Sequence, residues 1–236
     1  AFNTMGVAVT DDATKALYTA YNRRMRDEMG VKFQLVLYNY AKADYMGVIS
    51  VNNKVLDEGE GEAGLVYWVT GASAGCAVNR SNQNRRYDGC FTVDTPYTQN
   101  QLKAAIKDGK FTFHLVGADV RVLEDVNTMV TVSDTMGDVF KDNQTIRVID
   151  QIGNDIATLF NTKYLGVVPN DAAGRISLWS DIVKHHEQLQ EVRAIEDFSD
   201  ADVTVAQGET KKSVVVTDSV TVVNAMGRLY MTVTVA

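Results

Sequence analysis

The sequence predicts a mixed α/β fold. A sheet-and-helix domain over residues 1–133 is followed, over residues 134–236, by a helical pair with a small β-sheet completed by the C-terminal strand. Three patterns predict it. Between Val7 and Tyr38 a strand, a helix and a second strand follow one another, the order of a β-α-β unit. Beyond a polar stretch at residues 133–142, apolar residues recur at helical spacing in two long runs, first Ile146, Ile149, Ile152, Ile156 and Leu159, then Ile176, Trp179, Ile182, Val183, His186 and Leu189. From Arg228 to Val235 the chain alternates, with Leu229, Met231, Val233 and Val235 on one side and Tyr230, Thr232 and Thr234 on the other, the period of a strand with one oily face. Such a strand can fold back onto its own sheet or complete the sheet of a neighbour, because the main-chain hydrogen bonds are the same in both cases.

The elements follow in order. Val7-Ala8-Val9 opens the first strand, and Thr10 or Asp11 offers an N-cap to a helix whose apolar side runs through Ala13, Leu17, Ala20 and Tyr21. Gly30 fits the end of that helix, because glycine accepts the left-handed backbone found there. Strands are expected at Phe33–Tyr38 and Gly47–Val51, then an acidic glycine-rich loop at residues 57–62. A second helix carries Val66, Trp68, Val69, Ala72, Ala74, Gly75 and Ala77, whose small residues allow another backbone to approach. Residues 79–88 are polar and basic and belong at the surface. Cys90–Val93 reads as a strand, Gln99–Lys107 as a short helix, and Phe111–Val116 with Val120–Leu123 as a hairpin across Gly117-Ala118-Asp119. After the two long helices, joined at Gly166–Asn170, strands are expected at Val203–Val205 and Val214–Val223, with a turn at Gln207-Gly208. An opening at Ala1 with no initiator Met leads us to expect further strands upstream.

Composition narrows the function. With 236 residues, 45% of them hydrophobic and only two prolines, the chain has the makings of an ample core. A formal charge of −7 argues against nucleic acid or an anionic membrane as the main partner. Two cysteines are too few to staple a fold of this size and suit a reducing compartment. No apolar stretch nears the roughly 20 residues that span a bilayer, and no basic leader opens the chain, so a cytosolic origin without membrane insertion is expected.

The chemical motifs are weak. His185 and His186 are adjacent, and on a helix they point about 100° apart, so one metal ion cannot easily use both. His186 lies on the apolar stripe and reads as a packed side chain. Asp134, Asp138 and Asp142 lack the tight spacing of a calcium loop. Ser73 and Ser81 have no recognisable His/Asp partners, and Gly71–Gly75 sits within helical pattern, not in the strand-turn-helix elbow of a hydrolase. No phosphate-binding glycine loop with Lys-Ser/Thr is present, and Gly59-Glu60-Gly61 is acidic. We therefore assign no catalytic residue, no cofactor and no metal, and expect a protein that is not an enzyme.

Several stretches in order along the chain carry a family likeness: Ala74-Gly75 with Val78-Asn79 and Ser81, Val120-Arg121-Val122 with Asp125-Val126-Asn127-Thr128, Ile146–Asp150 with Asn154-Asp155-Ile156, and Val168-Pro169-Asn170 with Gly174-Arg175. They continue through Ala194-Ile195, Phe198, Asp202–Val205, Gly208, Val214-Val215-Val216 and Leu229-Tyr230-Met231. In these the sequence resembles the C-terminal part of the contractile tail sheath proteins of contractile-tailed phages and phage-tail-like bacteriocins. Two departures stand out: the family's N-terminal portion with its extended arm is lacking, and Asn224-Ala225-Met226 replaces an acidic residue before the last Met.

The resemblance implies a structural subunit that polymerises around a rigid inner tube. It drives the tube through a target envelope by contracting from a metastable extended state, with energy stored at assembly and no nucleotide. The implied partners are neighbouring sheath subunits, the inner tail tube protein and the baseplate at the sheath end. The implied location is the bacterial cytoplasm during assembly and then the tail of the particle. Arg228, Leu229, Tyr230, Met231, Thr232, Val233, Thr234 and Val235 form the candidate subunit-linking strand. Lys184, His185 and Arg193 are the candidate tube contacts. An α/β enzyme domain built on the first β-α-β unit, and a self-contained binding module whose last strand folds back, stay open as alternatives. Thr10-Asp11-Asp12 after Val9, in place of a glycine-rich turn, weighs against the enzyme.

Overall fold

A computed structural model describes residues 2–235. In the first part of the chain β1 (Thr4–Val7), β2 (Gln34–Tyr38), β3 (Val48–Val51) and β4 (Lys110–Phe111) form a four-stranded sheet in that order, every pair parallel. The helix α1 (Asp12–Arg23) links β1 to β2, and α2 (Leu65–Ala74) follows β3. All residues of β2 and β3 are buried, as expected of parallel strands covered on both faces. The period of two divides β2 between two apolar clusters: Leu35 and Leu37 pack with Val48, Tyr40 and Tyr45, while Val36 and Tyr38 pack with Ile49, Val51, Val66 and Phe111. Each such side chain contributes on the order of 2 kcal/mol by leaving water.

The start of α1 matches its expected cap, since Asp11 accepts from the Thr14 amide at 2.8 Å. The helix ends through one wide turn at Arg24–Glu28, and Gly30 adopts φ +69. Its buried face, however, is the reverse of the one expected. Leu17 and Tyr21 are 69% and 44% exposed, whereas Lys15, Thr19 and Asn22 are buried, as is Arg26 in the turn that follows. The inner surface there is made of backbone carbonyls and aromatic rings. Asn22 Nδ2 and Arg26 Nη1 both donate to the Phe33 carbonyl, at 3.0 and 2.8 Å, and the Lys15 ammonium lies 5.8 Å from the ring centres of Tyr38 and Tyr40. Polar side chains satisfy the carbonyls there, while Tyr18 of the same helix packs on the cluster of Leu35 and Leu37.

Two further expectations are corrected here. The run Phe111–Val116 is divided: Lys110–Phe111 joins the parallel sheet, and β5 (Phe113–Val116) pairs with β6 (Asp119–Val122) in a hairpin turned at Gly117, φ +63. Cys90–Val93 is no strand; it makes a single bridge, Val93 to Val55, because the contact with residues 54–56 is confined to that bridge and the flanking bonds from the Leu56 amide to the Thr92 carbonyl at 3.0 Å and from the Asp94 amide to the Lys54 carbonyl at 3.1 Å. The helix α3 (Gln99–Lys107) has its expected bounds and starts with a reciprocal cap between Thr98 and Gln101. Beyond the hairpin, buried Asp125 accepts from the Asn82 amide at 2.8 Å and from Asn143 Nδ2 at 3.0 Å, and Asn143 Oδ1 accepts from Gln34 Nε2 at 2.8 Å. This network fixes the start of the helix α4 (Asn143–Leu159) against β2.

Backbone contacts divide the chain into two compact units, Ala1–Ile146 with Asn224–Ala236, and Arg147–Val223. The division falls inside α4, later than the polar stretch near Ser133. In the second unit α4 continues into a wide turn at Phe160–Tyr164, and α5 (Ala172–Glu191) follows, capped by Asp171 on the Gly174 amide at 2.8 Å. Short antiparallel pairs complete the unit: β7 (Ile195–Glu196) with β10 (Thr221–Val222), and β8 (Val203–Gln207) with β9 (Val214–Asp218). The expected strand Val214–Val223 thus breaks between Asp218 and Thr221. The core gathers Tyr164, Leu178, Ile182, Val183 and Val203. Ile176, counted on the apolar stripe of α5, is 63% exposed, because it points about 200° around the helix from Leu178, which is buried in that cluster.

Candidate functional site

Two features of the chain stand out: the segment after β10, and the hairpin β8–β9. Within its own chain the segment Arg228–Val235 forms no strand, so it completes neither small sheet of the second unit. Alternation specifies an apolar face and says nothing about which edge will pair with it. The root of the segment is held on the first unit. Asn224 Nδ2 donates to Thr145 Oγ1 at 3.1 Å, the Ala225 amide to Gln144 Oε1 at 2.9 Å, and Gln83 Nε2 to the Gly227 carbonyl at 3.3 Å. An exposed ion pair, Arg228 to Glu124 at 3.2 Å, follows. Past it Leu229, Tyr230, Met231, Val233 and Val235 are all largely exposed.

The hairpin has one covered edge and one open edge. The Gly208 amide donates to the Ser213 carbonyl and the Ser219 amide to the Asp202 carbonyl, which sets the phase of the antiparallel ladder. By alternation the Val215, Thr217 and Ser219 backbones bond to β8, while those of Val214, Val216 and Asp218 face away from it. On the β8 side the Val203 carbonyl accepts from Trp179 Nε1 at 3.0 Å. On the β9 side no strand pairs among the described residues.

Both ends of this hairpin are pinned. At the turn, Asn170 Nδ2 donates to the carbonyls of Ser213 and Lys211, at 2.8 and 3.0 Å, and Arg175 Nη1 donates to the Asn170 carbonyl at 3.0 Å. Any side chain at position 174 would strike the Pro169 carbonyl, so the Pro-Asn and Gly-Arg pairs work as one device. At the far end His186, fully buried, lies 2.8 Å from Asp218 Oδ2 through Nε2 and 2.9 Å from the Ile182 carbonyl through Nδ1. Burial lowers its basicity, but the hydrogen bond and charge of Asp218 outweigh that, and its pKa stands above the ordinary 6.5. Elsewhere on α5, Asp181 accepts from Lys163 at 2.5 Å and from the Tyr164 hydroxyl, and although partial burial raises its pKa these bonds keep its carboxyl below the ordinary 3.8.

The candidate tube contacts differ in their surroundings. Lys184 is exposed on α5, and Arg193 lies exposed beyond the helix end with φ +61. The His185 side chain is mostly covered and turned to Asp155, 3.0 Å away. Among the described residues no group of three or more metal-ligating side chains occurs, and no helix is long and apolar enough to cross a membrane. Sequence reasoning missed the roles of Asp218 and Asn170, whose partners lie 32 and 43 residues away along the chain.

Residues 1–128 match the phage tail sheath protein central domain and residues 135–236 the phage tail sheath C-terminal domain. The chain belongs to the phage tail sheath family. This sheath-family chain is 31% identical to the uncharacterized protein YqbK and 30% identical to the phage-like element PBSX protein XkdK, both of Bacillus subtilis strain 168, over 99% of its own length and 53% of theirs. It therefore spans about half the length of the curated relatives it matches. Its fold is similar to that of the sheath tail protein of Desulfitobacterium hafniense, with TM-score 0.80 and 40% identity over 87% of this chain and 50% of that one. It is similar too to the sheath tail protein of Listeria innocua, with TM-score 0.86 and 28% identity over 94% of this chain and 53% of that one. The helical sheath of the anti-feeding prophage in its contracted state shares the fold, with TM-score 0.74 at 14% identity over 98% of this chain and 69% of that one.

Proposed function

We propose that the chain is a structural subunit of a contractile tail sheath, linked to its neighbours by strand addition. In this reading Arg228–Val235 of one copy pairs along the outer edge of β9 in another. The observation that carries it is the coexistence of an unpaired, alternating, exposed segment and an open, pinned strand edge in one chain. Strand addition supplies main-chain hydrogen bonds that persist while other contacts are exchanged, so the lattice stays connected as it contracts. Energy stored at assembly drives the change, and the acidic Gly59-Glu60-Gly61 loop offers phosphate no cradle.

The finer partners follow from that reading. Copies surround an inner tube, end on a baseplate, and take no nucleic acid or membrane insertion. Assembly takes place in the bacterial cytoplasm before the particle is released. Exposed Lys184 and Arg193 are suited to weak, screened contacts with an acidic tube surface. His185 joins them only if its bond to Asp155 opens.

Deleting Arg228–Ala236 tests the link. The unit cores should fold unchanged by circular dichroism while sheath assembly is lost; sheaths of normal length in electron micrographs of the truncated protein would refute strand donation.

A further inference from the structure

We infer that His186, held as an imidazolium between α5 and β9, is a positioning residue that fixes the outer edge of β9 for strand addition and frees it when the ring loses its proton. The functional half of this inference rests on the strand-addition reading; the chemical half does not.

The geometry leaves little choice of protonation state. Both ring nitrogens of His186 face acceptors, the Asp218 carboxylate through Nε2 and the Ile182 carbonyl through Nδ1, so each must carry a hydrogen. The other groups around the ring agree with a cation. His185, on the same helix, brings its Nδ1 within 3.4 Å of His186 Nδ1 and can accept there, while its Nε2 donates to Asp155 of α4. The Phe198 ring covers a face, centroids 5.0 Å apart. Thus β9 contributes Asp218, α4 contributes Asp155 at one remove, α5 contributes His185, and the segment after β7 contributes no titrating group to the contact. A neutral ring would have to present a lone pair to one of its two acceptors, losing a charge-assisted bond in a buried place.

The carboxylate that His186 holds belongs to the last residue of β9, whose own backbone lies in the outward-facing row. Fixing that side chain therefore fixes the end of the edge where an added strand must register, and a pre-ordered edge binds with less entropy lost. The pKa of His186 is raised in the fold, so the latch is complete below the ordinary histidine value of 6.5 and is lost as pH rises through the higher folded value.

Amide hydrogen exchange of the isolated chain between pH 6 and 9, corrected for intrinsic rates, tests the latch. Protection of Val215, Thr217 and Ser219 should fall roughly 10- to 100-fold across the titration, the value of one charge-assisted bond, while the β6 amides stay level. In His186→Gln and, from the other side, Asp218→Asn, the profile should be flat. Ring nitrogen chemical shifts should report both His186 nitrogens protonated at the acid end. A level wild-type profile, or a ring with one bare nitrogen at pH 6, overturns the latch. Sheath length of the full chain over the same range tests the consequence. A hairpin that loosens while assembly stays constant removes β9 as the acceptor and leaves the latch standing.

Discussion

Proline at position 216 should separate the folding of the hairpin from its use. The ladder phase sends the Val216 amide outward, away from β8, so Val216→Pro deletes no hydrogen bond within the chain. Val215→Pro, one residue earlier, deletes the bond to Ala206 and strands a carbonyl. The second variant should lose about 3 kcal/mol and the first under about 1 kcal/mol, since proline is tolerated on the outer row of an edge strand. For assembly the order reverses in meaning. The outer row of β9 offers the amides and carbonyls of Val214, Val216 and Asp218, and removing one donor while crowding the incoming backbone should weaken each joint by about 1 to 2 kcal/mol. That is roughly a tenfold rise in the concentration at which sheaths form. Chemical denaturation of the isolated chain reads the first effect, and sedimentation with electron microscopy of the full chain reads the second. Equal destabilisation by the two prolines would show the ladder phase to be wrong. Normal polymerisation of Val216→Pro would show that nothing pairs along β9.

Three further outcomes are expected. Asp125→Ala, which removes the acceptor of the Asn82 amide and Asn143 Nδ2 in a buried place, should destabilise the first unit by about 3 to 5 kcal/mol in urea titrations; a loss under about 1 kcal/mol would mean the network is dispensable. Because the Asp181 carboxyl is held below its ordinary 3.8, its stabilising contribution is present above that value and disappears as pH falls through the lower folded one. Denaturation monitored by circular dichroism should show stability falling more steeply on acidification in wild type than in Asp181→Asn, with the two converging at the acid end, and parallel curves would remove the role. Lys184→Glu should leave stability within about 0.5 kcal/mol of wild type while weakening retention of the inner tube in pull-down; undiminished retention would leave Lys184 a solvated surface residue.

Much of the fold was legible because apolar periodicity reports local geometry directly. The β-α-β opening, α3 to the residue, and both long helices follow from it. Periodicity failed where the surroundings were polar. On α1 the stripe of Ala13, Leu17, Ala20 and Tyr21 was real, yet the helix buries Lys15, Thr19 and Asn22 instead, with Asn22 on the Phe33 carbonyl and Lys15 against the rings of Tyr38 and Tyr40. It failed also where pairing was nonlocal: Cys90–Val93 has the composition of a strand and finds one bridge. The segment Arg228–Val235 was legible as an amphipathic stretch, while the edge proposed to receive it was not. That edge depends on the phase of the β8–β9 ladder and on two pins, Asn170 and His186, whose partners are far along the chain.

The clasp at Asn224–Arg228 would set a ruler for the proposed strand addition. With its origin tied to Thr145, Gln144, Gln83 and Glu124, the stretch Leu229–Val235 is a leash of fixed maximum reach, about 23 Å when fully extended at roughly 3.3 Å per residue. If copies are joined by strand addition as proposed, any packing of subunits must keep an acceptor edge inside that radius of Arg228. Under that proposal neighbours could swing and slide, but only within a sphere that small.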